Sequence, residues 1–212
     1  DLSENHLGDY GTGLIARALQ ENNCVTSLNL SSNDMTGEGF ASVFHSLSHN
    51  KHLSSLLLNA SKAHHDMFFG PDLAAAGALA SFLSYNHTLT SLSLCNCGLS
   101  ELEGAFACLV QGITNNKGLL QLDLSGNSIR AKDIVGFLQA LKQGGCPGLE
   151  ALILKNNRLN SIGCVRVGEG LKHCSSLLRL DLSKNNIRAA GFAVLTHYAS
   201  DAQFLAKLVL DD

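Results

Sequence analysis

The chain has 212 residues, 45% of them hydrophobic, and a formal net charge of −3. That length and composition allow one sizeable core and exclude a disordered chain. A slightly acidic balance with no apolar run of membrane-spanning length argues against a nucleic-acid binder and against membrane insertion.

In chain order, the first recognisable element is Leu2-Ser3-Glu4-Asn5-His6-Leu7, followed by apolar-facing positions Thr12, Ile15 and Leu19 at helical spacing. VTSLNLSSN comes next. Leu28 and Leu30 alternate there with Ser27, Asn29 and Ser31, which is a half-buried strand. The alternation predicts strands over 27–31, 55–59, 91–95, 121–125, 151–155, 179–183 and 207–211. Between them, apolar residues fall at spacings of three then four: Phe40, Val43, Leu47; Ala76, Leu79, Leu83; Ile134, Phe137, Leu141; and Cys164, Val167, Leu171. Each set is one face of a helix. Asn22, Asn50, Asn86 and Asn115 lie near the helix ends, where an Asn in the left-handed conformation would close the helix.

One position recurs after every strand: Asn5, Asn33, Ser61, Cys97, Asn127, Asn157 and Asn185, at spacings of 28, 28, 36, 30, 30 and 28. An amide both donates and accepts, so stacked copies can form a ladder that satisfies backbone groups at the turn. The in-register phrases LLQLDLSGNSI, LEALILKNNRL and LLRLDLSKNNI resemble the leucine-rich repeat, LxxLxLxxN/CxL, of the long ribonuclease-inhibitor-like subfamily. The resemblance covers the whole chain. It implies an α/β leucine-rich-repeat solenoid, a right-handed horseshoe with a parallel sheet on the concave face and helices on the convex face. Residues 1–212 are read as a single domain of six full repeats plus partial repeats at both ends. No capping unit with a polar outer face is visible, so the chain is expected to be part of a longer protein.

The unit after Ser61 carries eight extra residues, within SKAHHDMFFGPDLAA, and its helix pattern resumes intact. Its loop, residues 62–71, holds His64, His65, Asp66, Met67, Phe68 and Phe69. Insertions in repeat arrays map to loops and often bind, although Phe68 or Phe69 folding back as core is an equal alternative. Adjacent residues such as His64, His65 and Asp66 seldom converge on one metal, so no metal and no cofactor is expected. Cys95 and Cys97 lack a CxxC spacing, and Cys97 occupies a ladder position. No glycine follows a strand in a phosphate-loop pattern.

Outward positions of the strands form the surface available to a partner. Its central row reads Asp1, Asn29, Leu57, Ser93, Asp123, Ile153, Asp181 and Val209. Candidate partner-binding residues are Leu57, Asp123, Ile153, Lys155, Arg179 and Asp181, with the six loop residues from His64 to Phe69. No residue is read as catalytic. The resemblance implies a non-enzymatic scaffold for another protein; a GTPase-activating protein of the Ran-activator type is the alternative. Seven cysteines, an odd number in a long chain, fit free thiols in a reducing compartment, so the expected location is cytoplasmic. The chain shows no basic-then-apolar leader.

Overall fold

Short strands and helices alternate strictly along the computed structural model, which describes residues 1–60, 73–201 and 205–210. Helix α1 (Gly8–Ala18) is followed by β1 (Ser27–Asn29), α2 (Gly37–Leu47), β2 (Ser55–Leu57), α3 (Ala74–Tyr85), β3 (Ser91–Ser93) and α4 (Ala105–Asn115). Then come β4 (Gln121–Asp123), α5 (Ala131–Lys142), β5 (Ala151–Ile153), α6 (Asn160–Leu171), β6 (Arg179–Asp181), α7 (Ala189–Asp201) and β7 (Lys207–Val209). The seven strands form one parallel sheet in the order β1 to β7, and each helix packs on the next. Among the described residues, no helix is long and apolar enough to cross a membrane.

The inward leucines of every strand and the inner faces of the helices form one continuous core. Leu56, Leu92, Leu122, Leu152 and Leu180 are all at most 2% exposed. In α3, Ala76, Leu79 and Leu83 are buried as the shifted template predicts. Thr12 is also buried; its hydroxyl is satisfied within α1 by donating to the Gly8 carbonyl at 2.7 Å. Two helices depart from the pattern. In α4 the large buried residues are Phe106, Leu109 and Ile113, two places later than in other units. In α7, at the end of the stack, Phe192 stands at a core position yet is 48% exposed.

The strands are three residues long rather than five. Pairing continues past them, with Leu30 N–H donating to Leu57 O at 2.9 Å and Ser32 N–H to Asn59 O at 2.8 Å. Regular strand geometry ends because the chain turns at once. The residues before the front Asn or Cys positions, Glu4, Ser32, Asn96, Gly126, Asn156 and Lys184, all have φ between 54° and 71°.

The front ladder lies at that turn. Asn157 Nδ2 donates to Leu124 O at 3.0 Å and Leu154 O at 2.8 Å, while its Oδ1 accepts from the N–H groups of Asn127 and Ile129, both at 3.0 Å. Asn127 repeats the arrangement on Leu94 O, Cys97 N–H and Leu99 N–H. Asn33 and Asn185 do the same in their units. Cys97 keeps only the donor half, its thiol reaching Leu58 O at 3.3 Å. Ser61 lies outside the described residues.

A second ladder runs along the opposite turns, where each helix leads into the next strand. Asn50, Asn86 and Asn116 are buried there. Asn116 Nδ2 donates to Leu83 O at 2.8 Å and Asn86 O at 3.0 Å, and its Oδ1 accepts from Gly118 N–H and Leu119 N–H. Asn86 repeats this on Leu47 O and Asn50 O, and Asn50 on Leu19 O. The expectation of left-handed closure is therefore corrected: Asn86 and Asn116 have φ of −90° and −72°, and they act through their side chains. The rung is also Asn116 rather than Asn115, which is exposed. Cys146 and Cys174 continue the same positions. At Cys146 the main-chain N–H takes the carbonyl of Asn116 at 2.8 Å, and the backbone is left-handed, φ 42°. The adjacent Gly145 has no room for a Cβ, which would come within 2.6 Å of Ile113 O.

Asn116→Ala leaves these buried groups unpaired, so we expect a loss of about 1–3 kcal/mol in urea denaturation. Asn115→Ala, one residue earlier and exposed, is expected to cost far less. Equal losses would refute the rear ladder.

Candidate protein-binding face

Register across the sheet aligns the outward side chains in rows. Ser27, Ser55, Ser91, Gln121, Ala151, Arg179 and Lys207 form one; Asn29, Leu57, Ser93, Asp123, Ile153, Asp181 and Val209 form the next. Neighbours in a row stand about 4.8 Å apart. The β1 to β3 part is uncharged and, apart from Leu57, small and polar. From β4 onward, charges of both signs surround aliphatic residues.

The sequence-derived candidates separate by environment. Leu57, Asp123 and Ile153 are half-buried, and Lys155 and Arg179 are exposed. They are brought together by the strands, and all but Lys155 line a shallow depression with Gln121, Glu150 and Leu178. Asp181 is different. It is only 6% exposed, its Oδ1 accepts from Ser183 N–H and Ser183 Oγ, and its Oδ2 lies 3.9 Å from Arg179 Nη2. Its carboxylate shapes the strand end and orients Arg179. The loop candidates His64, His65, Asp66, Met67, Phe68 and Phe69 lie outside the described residues.

The clip recurs. Asp123 Oδ1 accepts from Ser125 N–H at 2.9 Å and Ser125 Oγ at 2.6 Å, and Asp1 holds Ser3 in the same way. The repeated DLS triplets were the sequence signal for it. Reading only outward alternation missed Leu178, 46% exposed immediately before β6.

Cys95 sits between Ser93 and Asp123 on this face. Burial, reinforced by the Asp123 charge, pushes its thiol up to about 11. Burial likewise holds Cys146 and Cys164 at about 12 and raises Cys97 beyond the ordinary thiol range. All seven thiols are unpaired. Among the described residues, no three His, Cys, Asp or Glu side chains are grouped to hold a metal ion. The arrangement offers a rigid array of hydrogen-bonding, charged and aliphatic groups, suited to covering another surface.

A family model described as Leucine Rich repeat matches residues 21–43 and 173–195. NACHT, LRR and PYD domains-containing protein 14 of Mus musculus is 28% identical over 93% of this chain and 19% of its own length. Ribonuclease inhibitor of Sus scrofa is 30% identical over 100% of this chain and 45% of its own. The chain thus spans less than half the length of these curated relatives. A solved structure named Leiomodin-1 Actin-Binding Site 2 (ABS2) superposes with a TM-score of 0.52 at 17% identity, covering 91% of this chain and 88% of that one. It has the same fold.

The thiol environments predict an order of alkylation. At neutral pH, exposed Cys24 is expected to react with iodoacetamide well before Cys95. Asp123→Asn removes a negative charge that disfavours the thiolate, so the Cys95 pKa falls and its labelling in mild alkali speeds up. Peptide mass spectrometry reads both; unchanged Cys95 labelling in Asp123→Asn would contradict the assigned cause.

Proposed function

Because the chain belongs to the leucine-rich repeat family, we propose that it is a scaffold that holds a partner protein against its concave face, over strands β4 to β7. The observation that carries this reading is the central row itself. Ile153 stands half-exposed beside Asp123, with the exposed cations Lys155 and Arg179 next to it and Asp181 buried on its other side. An aliphatic residue framed by charges is the pattern of an interface core with a polar rim. Arg179 is the Arg of that surface, a residue type enriched at hot spots. Ribonuclease inhibitor, by its name, acts on a protein, which supports a protein partner here. On sequence grounds alone, the loop 62–71 is proposed as a second contact, with Phe68 or Phe69 as its anchor.

The experiment compares proteins captured by the wild-type chain and by Ile153→Asp, with Ile162→Asp as the control. Ile162 is 65% exposed on α6, on the convex side. Partners lost with Ile153→Asp and kept with Ile162→Asp, at unchanged melting temperature, support the concave face. The reverse pattern rejects it. A single-turnover assay with a panel of small GTPases tests the scaffold reading directly: marked stimulation of GTP hydrolysis would replace it with an activator.

A further inference from the structure

The net charge of −3 conceals a division of the chain. Residues 1–120 hold 4 Lys or Arg against 10 Asp or Glu, a balance of −6, whereas residues 121–212 hold 11 against 8, a balance of +3. The fold concentrates much of this basic excess on one edge. The front turns, which lead from β4 to α5, from β5 to α6 and from β6 to α7, carry Arg130, with Lys132 just inside α5, then Lys155 and Arg158, then Lys184 and Arg188. All six are exposed.

Two of these cations are occupied internally. Arg130 Nη2 donates to Ser100 O at 2.8 Å and its Nε lies 3.6 Å from Asp133. Arg158 Nη2 lies 3.7 Å from Glu101, and its backbone is bridged to that of Arg130. Lys132, Lys155, Lys184 and Arg188 make no ion pair among the described residues. On the acidic half of the same edge Asp9 caps α2 through Thr36 and Gly39 and Asp34 bonds His6, whereas Glu4, Glu38 and Glu103 are exposed and make no ion pair among the described residues. The uncompensated charge is thus negative on the early turns and positive on the turns after β4, β5 and β6. Adjacent units stand about 5 Å apart at their strands, less than the Debye length of about 8 Å at physiological salt. The cations act as one field.

We propose that this rim, centred on Lys155, Lys184 and Arg188, binds an acidic segment of the partner protein, which then lays an apolar side chain against Ile153. The inference rests on the concave-face reading and adds the partner's chemistry. Lys155 makes the link, because it ends the β5 row and begins the turn. A nucleic acid fits less well. The adjoining face offers aliphatic residues and the acids Asp123 and Glu150, which repel phosphodiesters, and its described part has no ring on which bases could stack. A flat lipid surface would not reach Ile153 inside the curve.

The test titrates the chain with a short fluorescein-labelled peptide of Asp and Glu carrying Leu at every fourth place. Its comparators are the same peptide with Asn and Gln for the acids, a single-stranded oligonucleotide and phosphatidylserine vesicles. We expect binding of the acidic peptide that weakens with salt and falls by about tenfold or more in the triple variant Lys155→Glu, Lys184→Glu, Arg188→Glu. Ile153→Asp is expected to weaken it as well. An equal change of charge away from the rim, Lys51→Glu, Lys142→Glu, Arg166→Glu, should leave it within about twofold. The milder Lys155→Gln, Arg188→Gln variant serves if the triple variant does not fold.

The inference is overturned if both triple variants weaken binding alike. It is also overturned if the oligonucleotide or the vesicles bind more tightly than the acidic peptide, or if the rim variant instead abolishes self-association of the chain. If Ile153→Asp loses captured partners while the rim variant keeps them, the concave-face reading stands and the rim falls. If the rim binds the peptide while Ile153→Asp keeps every partner, the concave-face reading falls and with it the contact at Ile153, while the rim's preference for an acidic segment stands.

Discussion

A chain that turns sharply from strand to helix leaves N–H and C=O groups that cannot pair within the same repeat. The structure resolves this with one side chain. The Asn157 oxygen accepts two N–H groups of the preceding unit, and its nitrogen donates to carbonyls of both units. Unit and neighbour are thereby held in register to within a hydrogen-bond length. Asn86 and Asn116 impose the same condition at the other end of the strand. Pinned at both ends, the strand needs only three regular residues between its turns. The remaining architecture follows from stacking units under these two constraints, each unit burying its neighbour's leucines.

Curvature follows from what is stacked. Strands pair about 4.8 Å apart, while helices pack at about 8–10 Å. A stack that satisfies both must bend with its strands inside. The bend turns a row of outward side chains into a concave surface whose backbone is fixed, so little ordering cost remains when a partner docks.

Most of this was legible because the same physical demand recurs at fixed spacing. Period two in VTSLNLSSN and threes and fours in the helices gave the elements, and the front Asn gave the register. What was missed has local causes. The rear ladder has the same spacings as the front one, through Asn50, Asn86, Asn116, Cys146 and Cys174, yet backbone preference suggested a left-handed role and pointed to Asn115. Hydrogen-bond partners 30 residues away decide which of two adjacent asparagines is buried. Asp181 read as an exposed recognition residue because alternation gives direction and not depth; the serine two places on and the neighbouring Arg179 draw it in. The charge division was present in the composition, but only the turns bring Lys155, Lys184 and Arg188 to one edge.

The division of labour explains why such a sequence states its fold plainly and its partner faintly. Inward leucines and ladder asparagines answer to the neighbouring repeat, so they are nearly invariant along the chain. Outward positions answer to the repeat only where they clip a turn, as Asp123 and Asp181 do with their serines. Elsewhere they are free to differ: Ser55, Gln121 and Arg179 occupy the same row with the same backbone beneath them. On the reading proposed above, recognition falls to residues on which the fold places no demand. On that same reading, the departures from the repeated phrase, Ile153 in place of a polar residue and cations gathered at three successive turns, are where a partner's chemistry would leave its mark.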